Sequence, residues 1–323
     1  MNTLTTIKHP ITDSFSEFEQ LYSKLTDSLT HPMDDIVSHI DLQGGKHIRP
    51  ILTLLSAGLF SDANEKTVKT AVALELLHNT TLIHDDIVDD SPMRRGKQTL
   101  HSIEGNRIAV LMGDYLYSQV LNTLTETEDM EIIRRVSRLT EAMGAGELQQ
   151  QYATKHRNSS LSEYYSIIEK KTARLLSLCC ELGAYSAGAS AGDQKRLANF
   201  GLSFGMAFQI KDDILDFVGT DTGKQSGNDI REQKLTLPLL HFFETAEKDI
   251  SQKVYQQIYS ENIPQSGIEF IIEAVVRNGS IAFAEKKQRE YLSQTEEHLA
   301  SLPQTPCKQS LETLTEYMKD RPF

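Results

Sequence analysis

The chain has 323 residues, enough for one large domain or two small ones. Acidic side chains outnumber basic ones 45 to 33, a net charge of −12, which excludes a general nucleic-acid binder and fits a soluble protein. The three cysteines, Cys179, Cys180 and Cys307, show no Cys-x-x-Cys spacing, so reduced thiols in a cytoplasmic protein are expected. Met1 to Pro10 lacks the basic-then-apolar layout of a signal peptide, and no apolar run approaches the roughly 20 residues that span a bilayer.

Residues 11–42 put Phe15, Phe18, Leu21, Tyr22, Leu25 and Leu29 on one stripe, which predicts an N-terminal helix covering a core or a partner subunit. Gly44-Gly45 breaks the pattern. It reads either as a plain surface turn, or as a close approach of backbone to ligand with Lys46 and Arg49 binding phosphate. Residues 48–60 and 65–90 form two predicted helices. The second carries His78, where a lone histidine is ordinarily a satisfied core residue. It ends in Asp85, Asp86, Asp89 and Asp90, followed by Arg94, Arg95 and Lys97. Such a cluster repels itself unless something compensates it. Asp85 and Asp89 are one turn apart on one face and reach the same small hard cation. Magnesium suits this, because it takes oxygen ligands and bridges carboxylates to phosphates. Guanidinium groups just downstream bind phosphate in pairs of parallel hydrogen bonds. Pro92 ends the helix and puts both arginines on a loop. Taken alone, the stretch also reads as an acidic helix end running into a solvated basic loop.

Residues 106–128, 130–157 and 160–192 are predicted helices, the third with a capping box at Ser160 and Glu163. Glu147, Gln149 and Gln150 interrupt an apolar face; a solvated stripe is the plain reading, and the residues alone do not decide between it and a functional one. Lys171 and Thr172 fall in mid-helix, on the residues alone a snorkelling lysine beside a core threonine. Residues 194–218 repeat the aspartate pattern: Asp212 and Asp216 are one turn apart, Asp213 stands beside them, and Gln209 lies one turn before Asp213. Two such helices facing each other would hold several magnesium ions around a diphosphate. Gly219 to Gln233 is a polar loop of the kind that forms lids. Residues 235–262, 267–300 and 307–319 are the last predicted helices of a single all-α domain of ten or more helices. No strand run and no repeat of fixed period is visible.

The paired Asp-Asp-x-x-Asp elements stand with Gly44-Gly-Lys-His-Ile-Arg-Pro50, Arg94-Arg-Gly96, Gly113-Asp-Tyr-Leu116, Lys171-Thr-Ala173 and Phe208-Gln-Ile-Lys211. In order and spacing the chain, from about Gly44 to Arg321, resembles the trans-isoprenyl diphosphate synthases, and within them the long-chain polyprenyl diphosphate synthases. The resemblance implies the isoprenoid synthase fold, a helical bundle around a central active-site cavity. It implies that Lys46, Arg49, His78 and Arg95 hold isopentenyl diphosphate, with His47 where many relatives carry arginine or lysine. It assigns Arg94, Lys171, Thr172, Lys224 and Lys234 to the allylic diphosphate. Magnesium ions fall to Asp85, Asp89, Asp212, Asp213 and Asp216, and Arg321 matches a C-terminal arginine of the family. A homodimer, or a heterodimer with a small regulatory subunit, is implied, as is transient membrane contact for product release.

The chemistry so implied ionises an allylic diphosphate without hydrolysing it. Magnesium, Arg94, Lys171 and Lys234 neutralise the departing diphosphate. Thr172, Gln209 and the Lys171 carbonyl steady the carbocation. The double bond of isopentenyl diphosphate attacks, and repetition builds an all-trans chain for a quinone side chain. Thr81 and Thr80, four and five residues before Asp85, leave open a tunnel that aromatic residues close in short-chain relatives. Leu77 and Leu74 follow deeper. A hexaprenyl-to-decaprenyl product is expected, with heptaprenyl the preferred value. The alternatives are a short-chain farnesyl or geranylgeranyl synthase, a terpene cyclase, a metal phosphohydrolase built on His84-Asp85, and a non-catalytic subunit of a heteromeric synthase.

Overall fold

The computed structural model describes residues 3–28, 45–94, 96–157, 159–219, 226–260 and 262–319. The predicted sites Arg95, Lys224 and Arg321, and the stripe residue Leu29, lie outside them. The chain divides into two compact units: residues 1–137, 178–198 and 301–314 make one, and residues 138–177, 199–300 and 315–323 the other. No helix among the described residues is long and apolar enough to cross a membrane.

In the first unit, α1 (Thr3–Lys8) leads through a short 3-10 turn into α2 (Thr12–Ser28). Phe15, Phe18 and Tyr22 of the predicted stripe are buried, because α2 packs on α3 (Ile48–Ala57) and α4 (Glu65–Val88). The stripe therefore covers this chain's own core. Helix α4 begins at a capping box on Asn64 and Thr67 and is buried without interruption from Thr70 to Leu77. A helix apolar all round lies inside a domain and not on its surface. After α4 comes a hairpin of two-residue strands, β1 (Met93–Arg94) and β2 (Lys97–Gln98), with Gly96 at positive φ. No strand was legible here, since two residues give no alternation to read. The short α5 (Leu100–Glu104) then leads into α6 (Asn106–Thr125). Helix α6 lies along α4, with Ile83, Ala109, Met112 and Leu116 sharing one cluster. Gly113 makes the approach possible: a β-carbon there would run into the His84 ring. Cys179, Cys180 and Cys307 are buried free thiols, and burial pushes Cys179 up to about 12.

Helix α7 (Met130–His156) starts in the first unit and ends in the second. The predicted helix over 160–192 proves to be three pieces. They are α8 (Leu161–Ile168), capped by Ser160 and Glu163, a π-helical turn over Glu169–Ala173, and α9 (Arg174–Ser186). Gly188, at φ 76°, then ends the run. The π turn is fixed by close packing. A β-carbon on Gly205 of α10 (Ala191–Val218) would lie 2.5 Å from Ala173 Cα, one on Gly201 2.5 Å from the Leu176 carbonyl, and one on Gly146 2.8 Å from Lys170 Cβ. Single π turns of this kind concentrate at functional sites.

The polar loop over 219–233 contains a short helix, α11 (Asn228–Arg231). The predicted helix over 235–262 divides into α12 (Leu237–Thr245) and α13 (Lys248–Ile258), where Ala246 is extended. That over 267–300 divides into α14 (Gln265–Arg277) and α15 (Ser280–Ala300) at Gly279, with φ 78°. The Asn278-Gly279 pair was a readable turn signal. Helix α16 (Pro306–Lys319) closes the described chain. Met206, Ile210, Ile214 and Phe217 of α10 pack with Leu240, Phe242 and Ile271 in the second core.

Gly205→Ala should cost about 1–3 kcal/mol of unfolding free energy, because its methyl meets backbone and not a movable side-chain end. Chemical denaturation followed by circular dichroism measures this.

Candidate active site

Each Asp-Asp-x-x-Asp element is sorted by the helix that carries it. In the first, Asp85 and Asp89 are half-buried, whereas Asp86 is 7% exposed and accepts from Arg94 Nε at 2.6 Å. Burial pushes Asp86 up, against the pull of the Arg94 charge and hydrogen bond. In the second, Asp212 and Asp216 are half-buried, whereas Asp213 is 3% exposed. Both Asp213 oxygens are taken: Oδ2 accepts from Tyr164 Oη at 2.6 Å and Oδ1 from Gln209 Nε2 at 2.9 Å. Burial pushes Asp213 up to about 7, partly offset by these two donors and reinforced by the charges of Asp212 and Asp216. With both oxygens bonded to protein donors, Asp213 is an inward anchor of the cavity.

Asp216 does a second job. Its two oxygens accept the backbone N–H groups of Asn228 and Asp229, each at 3.0 Å, and its carbonyl accepts from Gly227 at 2.8 Å. These bonds tie the end of α10 to the start of α11. The outer carboxylates fit a hard divalent cation in donor type and spacing, oxygen only and one turn apart. Among the described residues no three His, Cys, Asp or Glu side chains converge as a metal cluster. Magnesium needs no such cage, since it binds through one or two carboxylates plus water and phosphate. A His-Asp phosphohydrolase centre finds no support here: the nearest carboxylate oxygen to His84 Nε2 is Asp114 Oδ1, at 3.8 Å.

The second unit holds a cavity of about 160 Å³, whose lining includes Gln150, Lys171, Thr172, Gln209, Asp213 and Lys234. Four of the predicted site residues thus share one space with Asp213. Thr172 Oγ1 donates to Gln209 Oε1 at 2.8 Å, and Gln209 passes the order on to Asp213 and so to Tyr164. The chain of bonds fixes the Gln209 amide with its oxygen toward Thr172. Thr172, spending its proton on Gln209, keeps its lone pairs for the cavity. Lys234 pairs with Glu232 at 2.7 Å.

Glu147, Gln149 and Gln150, whose role the sequence left open, are half-buried and bonded. Gln150 accepts from Lys171 Nζ at 2.7 Å, Gln149 accepts from Lys170 Nζ at 2.8 Å, and Glu147 forms an ion pair with Lys171. Polar interruptions of an apolar face were the visible signal, but their partners are distant in sequence. Tyr164 and Asp229, also at the cavity, carried no signal at all.

In the first unit, Lys46 is exposed and Arg49 half-buried, on either side of His47 at the start of α3. His47 has φ 48°, and its Nδ1 lies 2.9 Å from Glu75 Oε1 with the rings of Phe18 and Tyr22 5.6 and 5.8 Å away. It tethers the strained start of α3 to α4 and α2, a role not read from sequence. His78, Asp85 and Asp89 are half-buried along one side of α4, Thr81 with them. Thr80 is 3% exposed, Leu77 1% and Leu74 0%, so the two leucines belong to the packed core and do not line an open wall.

The fold and this site define an all-α protein of the isoprenoid synthase fold. A polyprenyl synthase from Caulobacter crescentus CB15, solved with calcium and isoprenyl diphosphate, superimposes with a TM-score of 0.93 at 29% identity, covering 99% of this chain and 98% of that one. Heptaprenyl diphosphate synthase from Staphylococcus aureus gives 0.89 at 30%, covering 97% and 98%. "Heptaprenyl diphosphate synthase component 2" of Bacillus subtilis (strain 168) is 34% identical over 88% of this chain and 81% of its own. The polyprenyl synthetase family model matches residues 29–275, and the chain belongs to that family, as a prenyltransferase.

Tyr164→Phe should leave one Asp213 oxygen buried without a donor and cost about 1–3 kcal/mol of stability. Urea denaturation at neutral pH, compared with the parent, measures it.

Proposed function

We propose that the chain, acting as one catalytic domain, adds isopentenyl diphosphate repeatedly to an allylic diphosphate, with farnesyl diphosphate as primer. The product is an all-trans polyprenyl diphosphate of hexaprenyl to decaprenyl length, heptaprenyl preferred, for a quinone side chain. The observation that carries this reading is the ordered chain Thr172–Gln209–Asp213–Tyr164 beside Lys171 and Lys234. It puts acceptor lone pairs and ammonium groups in one small cavity, which is what a carbocation and its departing diphosphate require.

Asp85, Asp89, Asp212 and Asp216 would hold magnesium, which supplies charge neutralisation on the diphosphate. Lys171, Lys234, Arg94 and Lys224 bind that diphosphate from the protein side. Asp86, by holding Arg94 Nε, leaves the remaining guanidinium N–H groups for phosphate. The Thr172 hydroxyl, oriented by Gln209, presents its oxygen to positive charge. Lys46, Arg49, His78 and Arg95 anchor isopentenyl diphosphate, with His47 and Glu75 fixing the backbone between Lys46 and Arg49. The chain assembles with itself or with a small second subunit, and the "component 2" in the name of the Bacillus relative supports the second form. Incubating the purified chain alone with farnesyl diphosphate, isopentenyl diphosphate and magnesium, then sizing the products, tests the whole reading. Polyprenol of 30 to 50 carbons is expected, supplied by the chain alone if it assembles with itself. A farnesyl or geranylgeranyl product overturns the long-chain assignment.

Asp85→Ala should lower turnover by about 100-fold or more, since a lost metal ligand raises the barrier by about 3 kcal/mol or more, with far-UV circular dichroism unchanged. Near-parental turnover removes the magnesium role of the first cluster.

Thr81→Phe should shorten the product while the first condensation continues, because Thr81 shares the half-buried side of α4 with Asp85. Thr80, 3% exposed and donating to the Leu76 carbonyl at 2.9 Å, is a poor test position: a phenylalanine there overpacks the core. Chromatography of the dephosphorylated alcohols gives the answer. Unchanged length in Thr81→Phe means the chain grows along another wall.

A further inference from the structure

Lys171 lines the cavity, and Glu147 lies behind it as its carboxylate partner. Its Oε2 meets Lys171 Nζ in an ion pair, and its Oε1 accepts from Gln151 Nε2 at 3.0 Å. Gln150, on the same helix, accepts from the same ammonium at 2.7 Å. The neighbouring Lys170 goes to Gln149 instead, so α7 sorts the two lysines one from the other. Gly146 permits all of this, since any side chain there would strike Lys170 and Lys171. Burial pushes the Glu147 carboxyl up, but the Lys171 charge and hydrogen bond, Gln151 and the Lys234 charge outweigh it and hold it below its ordinary value. The carboxylate is ionised at neutral pH.

A buried ion pair of this kind is weak evidence for stability, because the desolvation of both partners opposes their attraction. Lys171 has three N–H donors; Gln150 takes one, and Glu147 lies against the same ammonium as its counter-ion. An arriving diphosphate competes with Glu147 for the same ammonium, and like charges that share one cation repel. We propose that Glu147 is the exchange partner of Lys171: it holds the ammonium in the empty cavity, yields it to the allylic diphosphate, and takes it back as inorganic diphosphate leaves. No covalent bond changes. The Glu147 charge then sets how tightly the spent diphosphate is retained. This rests on the reading of Lys171 as a diphosphate ligand.

The two roles open to Glu147 predict opposite signs. A residue that only positions Lys171 leaves the lysine loose when removed, and diphosphate binds more weakly. An exchange partner, when removed, stops competing, and diphosphate binds more tightly. Calorimetric titration of inorganic diphosphate into the full chain at fixed magnesium separates them. Glu147→Gln, matched in size but uncharged, should bind about tenfold more tightly, equivalent to about 1.4 kcal/mol. The KM for the allylic substrate and kcat should fall together, as release becomes limiting. Glu147→Asp, which withdraws the charge by one methylene, should shift the same way by less, and it carries the test if Glu147→Gln does not fold. Lys171→Gln is the reference. If it weakens diphosphate while Glu147→Gln binds the same or more weakly, the exchange role is wrong and the Lys171 assignment stands. If Lys171→Gln leaves diphosphate binding unchanged, both are wrong.

Discussion

The helical period decides what each aspartate in this protein does. Successive residues turn by about 100°, so residues one turn apart share a face and the residue between them points away. Asp85 and Asp89, and Asp212 and Asp216, are the shared-face pairs and remain partly accessible. Asp86 and Asp213, each next to the first member of its pair, turn inward and are consumed by protein donors, Arg94 in one case and Tyr164 with Gln209 in the other. Burying a carboxylate without donors costs several kcal/mol, so these partners are obligatory. The same motif thus supplies partly accessible outward carboxylates and an inward brace, and the second brace also orders Gln209 and, through it, Thr172.

The brace works only because backbones come unusually close. Gly201 and Gly205 let α10 press on the start of α9, and Gly146 lets α7 press on the π turn from its own side. The π turn alters which way Lys171 and Thr172 face relative to a regular helix, and the packing holds it there. In the first unit Gly113 makes room for the His84 ring as Gly205 does for Ala173. Small residues at these positions place the functional side chains indirectly, by setting the distance between helices.

Charge is balanced locally and not left to solvent. The two lysines of the cavity, Lys171 and Lys234, each carry a glutamate partner, Glu147 and Glu232. Such pairing keeps the cavity from being a strongly positive hole.

Much of this was legible in the chain alone. The one-turn aspartate spacing, the absence of strand patterns of any length and the helix starts at Asn64 and Ser160 follow from local periodicity and capping, which depend on neighbours in sequence. So did Lys171, Thr172, Gln209 and Lys234 as a group, through their resemblance to a family. What only the tertiary structure decided depends on residues far apart in the chain. Asp213 became an anchor because Tyr164, 49 positions away, reaches it. Glu147, Gln149 and Gln150, undecided on the sequence alone, are lysine partners because the π turn lies against α7. Leu74 and Leu77 fell to the core and Thr81 to the accessible side because α2, α3 and α6 cover the rest of α4. A sequence states which side chains share a face, but burial is set by what packs on that face.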